Sequence, residues 1–187
     1  MNNTIQEAIK VLRNGGIILY PTDTIWGLGC DATNEEAVLK LLKIKQRSDS
    51  KSLIVLLDQD HKINRIAKDI PDAAWDIIDH AQKPTTIVLD GAYNLAPSVI
   101  AADGSVGIRI CKMEFCQQLI SKLNKPLVST SANYSGCPSP INFSNVDSTI
   151  KKQVDFVIDL PKYHQSKCIA SSIIKLDKNS NVTIIRP

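Results

Sequence analysis

The sequence is poor in aromatic residues: three Phe, two Trp and four Tyr make up 5% of its 187 residues. A surface that stacks unpaired bases needs several rings side by side, so a stacking platform for RNA is not evident. One-sided charge is missing too. Lys plus Arg number 22 against 19 Asp plus Glu, a net charge of +3, which permits an anionic partner without demanding one. The longest unbroken apolar run, Leu53 to Leu57, falls far short of the ~18–20 residues of a membrane span. The start, Met-Asn-Asn-Thr-Ile-Gln-Glu, has no basic segment leading into an apolar one, so a cytoplasmic location without membrane contact is expected. Cysteines stand at 30, 111, 116, 137 and 168, an odd number with no Cys-x-x-Cys, and the three histidines are scattered. Reduced, mostly buried thiols are expected, and no protein metal ligand is assigned. Neither a Gly-x-x-x-x-Gly-Lys-Ser/Thr loop nor a Gly-x-Gly-x-x-Gly fingerprint occurs.

Hydrophobic content of 43% and charged content of 22% are globular. Thr4 and Glu7 have the spacing of a capping box, Ile5, Ala8, Ile9 and Leu12 share one helical face, and Gly15-Gly16 closes the helix. Residues 17–20 read as a short strand. Asn34 followed by Glu35 and Glu36 predicts a second helix start, with Val38, Leu41 and Leu42 buried. Leu53–Leu57 predicts a buried strand, with weaker helices near 60–68 and 72–80 beyond it. Strands follow at Thr86–Leu89, Val106–Ile110, Pro126–Thr130, Phe156–Ile158, Ile169–Leu176 and Val182–Ile185. A helix lies around Phe115–Leu123, and 131–148 is a long loop rich in Ser, Pro, Asn and Gly. Alternating strands and helices predict an α/β fold with a mixed sheet.

Three segments carry chemistry. Tyr20 to Ala32 packs threonines, aspartates and glycines directly after a strand, where α/β proteins bind ligands. It reads as a turn in which Gly27 and Gly29 allow close approach of a ligand, or as a tight turn held by its own Thr and Asp side chains. In the basic run Lys40–Lys51, Lys45 continues the buried spacing of Val38, Leu41 and Leu42. With Arg47 and Lys51 it could clamp phosphates, although a solvated basic helix end has the same charge pattern. Ser129–Gly136 is a run of hydroxyls, an amide and backbone N–H groups suited to a phosphate or a polar small molecule.

Together these segments resemble the YrdC/Sua5 family of threonylcarbamoyl-AMP synthases. The resemblance rests on Pro21-Thr-Asp-Thr-x-aromatic-Gly-Leu, Lys45-x-Arg47 with Lys51, Val106-Gly-x-Arg109, Ser129-Thr-Ser-Ala-Asn-x-Ser-Gly136, Ser171-Ser-Ile-Ile and Arg186-Pro187. It spans essentially the whole chain. It implies an open, twisted, mostly mixed sheet with flanking helices and a positively charged groove, as one domain over 1–187 without a further C-terminal domain. It implies a nucleotidyltransferase that makes threonylcarbamoyl-AMP from L-threonine, bicarbonate and ATP, with Mg²⁺ carried by the nucleotide and pyrophosphate released. The product would pass to separate transfer proteins for the t6A modification of adenosine 37 of tRNA. The residues implied for L-threonine are Thr24, Arg109, Ser129 and Ser171. Those implied for ATP are Arg47, Lys51, Thr86, Ser131, Asn133, Ser139 and Arg186, with Lys45 and Arg47 as the catalytic basic pair.

Several positions depart from the family pattern. Lys83 stands where relatives often have Gly, and Ala170-Ser-Ser172 replaces Pro-Ser-Thr. Ser52 replaces Pro, Leu56 replaces His in some relatives, and Arg109-Ile-Cys replaces Arg-x-Pro. Contact with tRNA or double-stranded RNA is a further expectation, and an RNA-binding module without catalysis is the alternative reading. A carbamoyl-transfer domain of hydrogenase maturation is disfavoured by the chain's length and unpaired cysteines.

Overall fold

The computed structural model describes residues 1–46, 53–164 and 169–187. The first helix, α1 (Asn2–Arg13), buries Ile5, Ala8, Ile9 and Leu12 as its periodicity requires. The expected Thr4 capping box is not used. The Ile5 amide already bonds the Met1 carbonyl, so the helix starts three residues earlier, with Met1 as its cap, and Thr4 lies inside its first turn. Helix α2 (Glu35–Ile44) follows the sequence closely: Asn34 Oδ1 accepts from the Ala37 amide at 3.1 Å. Glu35 also accepts from the backbone amide and hydroxyl of Ser98, tethering the helix start to the distant 3-10 helix Pro97–Val99.

The strands are β1 (Ile18–Tyr20), β2 (Gly27–Asp31), β3 (Ile54–Leu57), β4 (Thr85–Leu89), β5 (Val106–Ile110), β6 (Leu127–Ser131), β7 (Phe156–Val157), β8 (Ser172–Leu176) and β9 (Val182–Arg186). Among the described residues they form one mixed sheet in the order β7-β1-β2-β6-β3-β5-β4-β8-β9. The pairs β1–β7, β3–β5 and β4–β8 are parallel and the rest antiparallel. The expected α/β class, with one open mixed sheet and flanking helices, is therefore borne out. Four local expectations change. Gly27–Asp31 is a fully buried strand rather than part of a turn. Residues 60–65 form a 3-10 helix. The strand expected from 169 begins at Ser172. Helix α5 (Ser148–Gln153), capped by Asp147, had no clear periodic signal.

Alternation splits the sheet into two faces. One packs α2 and α3 (Asp72–His80) over a core that includes Leu28, Val55, Ile87, Ile108 and Val128. The other packs α1 and α4 (Glu114–Leu123) over Ile18, Tyr20, Leu56 and Leu127. Helices α1 and α4 reach β1, β2 and β3, leaving the same face of β5, β4 and β8 to a cavity described below. No helix of the described residues is long and apolar enough to cross a membrane.

Gly29 is fixed by packing and not by a ligand. A Cβ there would stand 2.7 Å from the Tyr20 ring and 2.8 Å from the Val128 carbonyl oxygen. Gly29→Ala is expected to cost about 1–3 kcal/mol through overpacking, read as a lower urea midpoint. The described cysteines divide by burial. Burial pushes the Cys30 thiol up, and Cys116 is pushed up by its contact with Cys111 and by burial. Cys111 is also buried, whereas Cys137 is exposed. Brief iodoacetamide treatment of the native protein should therefore label Cys137 and spare Cys30, Cys111 and Cys116, as checked by peptide mass mapping.

Candidate functional site

A cavity of about 630 Å³ opens on the face of β6, β3, β5, β4 and β8 that α1 and α4 leave free. Register builds it. Gly29 pairs with Ser129, Ser129 with Ile54, Ile54 with Gly107, Gly107 with Val88, and Val88 with Lys175. This row crosses six strands and, beyond Gly29, all of its residues line the cavity. A Cβ on Gly107 would meet Ile54 at 3.3 Å and Thr86 at 3.4 Å, so glycine sets the depth of the floor.

Arg109 rises from β5 beside this row and is only 3% exposed. A guanidinium so buried needs a counter-charge. Asp23, from the connection between β1 and β2, supplies it, with Oδ1 3.0 Å from Arg109 Nη2. The Lys112 amide donates to the other Asp23 oxygen at 3.3 Å. Arg109 Nε remains buried without a hydrogen-bond partner. The connection that carries Asp23 is held by its own threonines, as the local reading allowed. Thr22 Oγ1 donates to the Ile25 carbonyl at 2.7 Å. That uses its one proton, so in the 2.9 Å contact between the two hydroxyls Thr24 donates to Thr22. The lone pairs of Thr24 Oγ1 are left to accept from a ligand.

At the opposite wall Arg186 Nε donates to the Ser171 carbonyl at 2.8 Å, and Ser171 Oγ lies 2.8 Å from Thr86 Oγ1. Burial and the neighbouring Arg109 charge both lower the pKa of Arg186. Two like charges brought to one cavity favour an anion between them. At the rim, Lys175 bonds Asp103 at 2.8 Å and, with Ser105, holds that carboxyl well below its usual range.

Of the sequence-predicted site residues, Thr24, Thr86, Arg109, Ser129, Ser131, Ser139, Ser171 and Arg186 all line this one cavity. Lys45 and Asn133 do not. Lys45 is 2% exposed, as its helical spacing predicted, and its ammonium donates at 2.6 Å to the carbonyls of Ser131 and Asn133. Asn133 spends its amide on the carbonyls of Tyr134 and Cys137. The pair holds the turn leaving β6. Arg47, Lys51 and Ser52 lie outside the described residues. Leu56 sits deep in the α1–α4 core, in register with Arg109. Sequence reasoning passed over Asp23, although it sits inside the quoted Thr-Asp-Thr segment. Lys175 had no local signal beyond its two-residue offset from Ile173, which shares its face.

A family model described as telomere recombination, the Sua5/YciO/YrdC domain, matches residues 10–187. A protein named threonylcarbamoyl-AMP synthase from Pseudomonas fluorescens is 36% identical over 155 residues, 82% of this chain and 83% of its own. Among solved structures, P. abyssi Sua5 complexed with L-threonine superposes with a TM-score of 0.89 at 27% identity, over 98% of this chain and 53% of that one. This chain thus spans about half the length of that Sua5 chain. E. coli YciO shares the fold, with a TM-score of 0.84 at 21% identity, over 100% of this chain and 89% of its own.

Asp23→Ala strips the buried guanidinium of its counter-charge. It is expected to cost about 3 kcal/mol of unfolding free energy, seen as a lower urea midpoint at unchanged slope.

Proposed function

Because the chain belongs to the Sua5/YciO/YrdC family, we propose that it makes threonylcarbamoyl-AMP from L-threonine, bicarbonate and ATP, for the t6A modification of tRNA. One observation carries the reading. A single cavity of about 630 Å³ is lined by Arg109, Arg186 and a set of Ser and Thr hydroxyls. That volume is in the usual range for small-molecule and cofactor sites, about 300–1,000 Å³. Family membership favours catalysis over an RNA-binding module.

Arg109 Nε, buried and unpartnered, is the donor assigned to the threonine carboxylate, and Asp23 fixes the plane of that guanidinium. Thr24 Oγ1 is oriented to accept from the threonine amine. Ser129 and Ser171 complete the threonine contacts. Thr86, Ser131, Ser139 and Arg186 are assigned to ATP. Arg47 and Lys51 keep the same assignment from the sequence resemblance alone. Asn133 is reassigned from nucleotide contact to holding the turn. Lys45 is a positioning residue: its ammonium anchors the Ser131 and Asn133 carbonyls at the start of the loop that carries Ser139.

The amine takes up bicarbonate as a carbamate, with loss of water. A carbamate oxygen then attacks the α-phosphorus and pyrophosphate leaves. No protein nucleophile is needed, so the protein's share is positioning and neutralising negative charge. Among the described residues no three His, Cys, Asp or Glu side chains converge as a metal site. Mg²⁺ would be carried by the triphosphate, where it would offset charge. Residues 1–187 act as one catalytic domain, the product goes to separate transfer proteins, and the location is the cytoplasm.

Incubation with ATP, Mg²⁺, bicarbonate and L-threonine should yield pyrophosphate and the carbamoyl adenylate, and omission of threonine should abolish both. Absence of threonine-dependent turnover would overturn the reading. Arg109→Gln is expected to lower kcat/KM for threonine by roughly a hundredfold or more, and Arg186→Gln to act mainly on ATP. Lys45→Ala should collapse turnover by releasing the turn.

A further inference from the structure

The face of β4 and β5 opposite the main cavity holds a second one, of about 240 Å³. Its walls are branched aliphatic side chains. Ile87 and Leu89 come from β4, and Ile108 and Ile110 from β5. Ile63 comes from the 3-10 helix, and Ile77 and Ile78 from α3. The cause lies in α3. Of its apolar residues only Ala74 is fully buried, while Trp75, Ile77 and Ile78 are half-buried. The helix therefore does not fill the space between itself and the sheet. A dry apolar void of about 150 Å³ already takes up benzene, so this one has room for a small organic molecule.

Polar residues gather in three lining stretches: Asp23, residues 82–85 and Lys112. Thr85 donates to the Lys83 carbonyl, and Asp23 is engaged by Arg109 and the Lys112 amide. Lys83 and Lys112 are exposed. Neither ammonium enters an ion pair among the described residues. An apolar chamber whose lining includes two exposed lysines without an ion-pair partner complements a molecule with an aliphatic body and one negative end. We propose that this cavity is a second ligand site, for a small apolar monocarboxylate whose chain lies among the isoleucines and whose carboxylate meets Lys83 and Lys112.

Hexanoate is the probe, titrated into the full chain without ATP or threonine and followed by calorimetry and isoleucine methyl shifts. The expected result is saturable one-to-one binding that moves the methyls of Ile77, Ile78, Ile87 and Ile108. The double variant Lys83→Gln, Lys112→Gln should weaken binding at least tenfold, about 1.4 kcal/mol. Both lysines are exposed, so this variant is expected to fold. Ile78→Trp should abolish binding by filling the chamber, and Ile77→Phe serves the same purpose if that variant fails to fold. Arg186→Gln, in the other cavity, should leave hexanoate binding unchanged. The proposal is overturned if 1-hexanol binds as tightly as hexanoate, if Arg186→Gln removes binding, or if millimolar hexanoate moves none of these methyls. These outcomes do not depend on the proposed reaction, which stands or falls on threonine-dependent turnover.

Discussion

Arg109 is placed by its strand on the floor of a cavity and is almost wholly removed from water. Its charge is tolerable there only beside a carboxylate held in place. That requirement propagates through the fold. Asp23 must project from the connection between β1 and β2, so the connection must be rigid. The bonds from Thr24 to Thr22 and from Thr22 to the Ile25 carbonyl make it so. The strands it joins must sit close to β6, which Gly29 permits by leaving room for the Tyr20 ring. With Asp23 paired to Nη2, the buried Nε has no partner in the protein and is left for a ligand.

A sheet with period-two alternation offers two faces, and β4 and β5 use both. Thr86 and Arg109 face the polar cavity. Their neighbours Ile87 and Ile108 face the apolar chamber under α3. Two cavities of opposite character are therefore separated by a single layer of backbone, and Asp23 stands between them, paired to Arg109 and lining the chamber. The polar cavity exists because α1 and α4 stop at β3, so hydroxyl and guanidinium groups on β5, β4 and β8 stay free of a covering helix.

Where a local rule was strong, the sequence was legible. Helix α2 starts at Asn34 because that amide can cap and two glutamates follow it, and Lys45 is buried because it lies seven residues beyond Val38. Where two rules competed, local reasoning failed. Gly27–Asp31 carries the residues of a turn, but pairing with β1 and β6 on both sides makes it a strand. Thr4 and Glu7 have capping spacing, but nothing stops the helix from starting earlier.

By itself the sequence determined most of the element types, the α/β class and the residue chemistry of the candidate site, because hydrophobic period, caps and short motifs are local properties. The family resemblance brought those residues together as a group before any geometry was known. Only the tertiary structure decided that Ser129, Ile54, Gly107, Val88 and Lys175 form one row, since strand register depends on pairing between segments far apart in the chain. It alone decided that Asp23 pairs with Arg109, and that the Lys45 ammonium bonds the carbonyls of Ser131 and Asn133. A charge is shared or exposed according to what the fold packs against it, and no single segment of sequence contains that information.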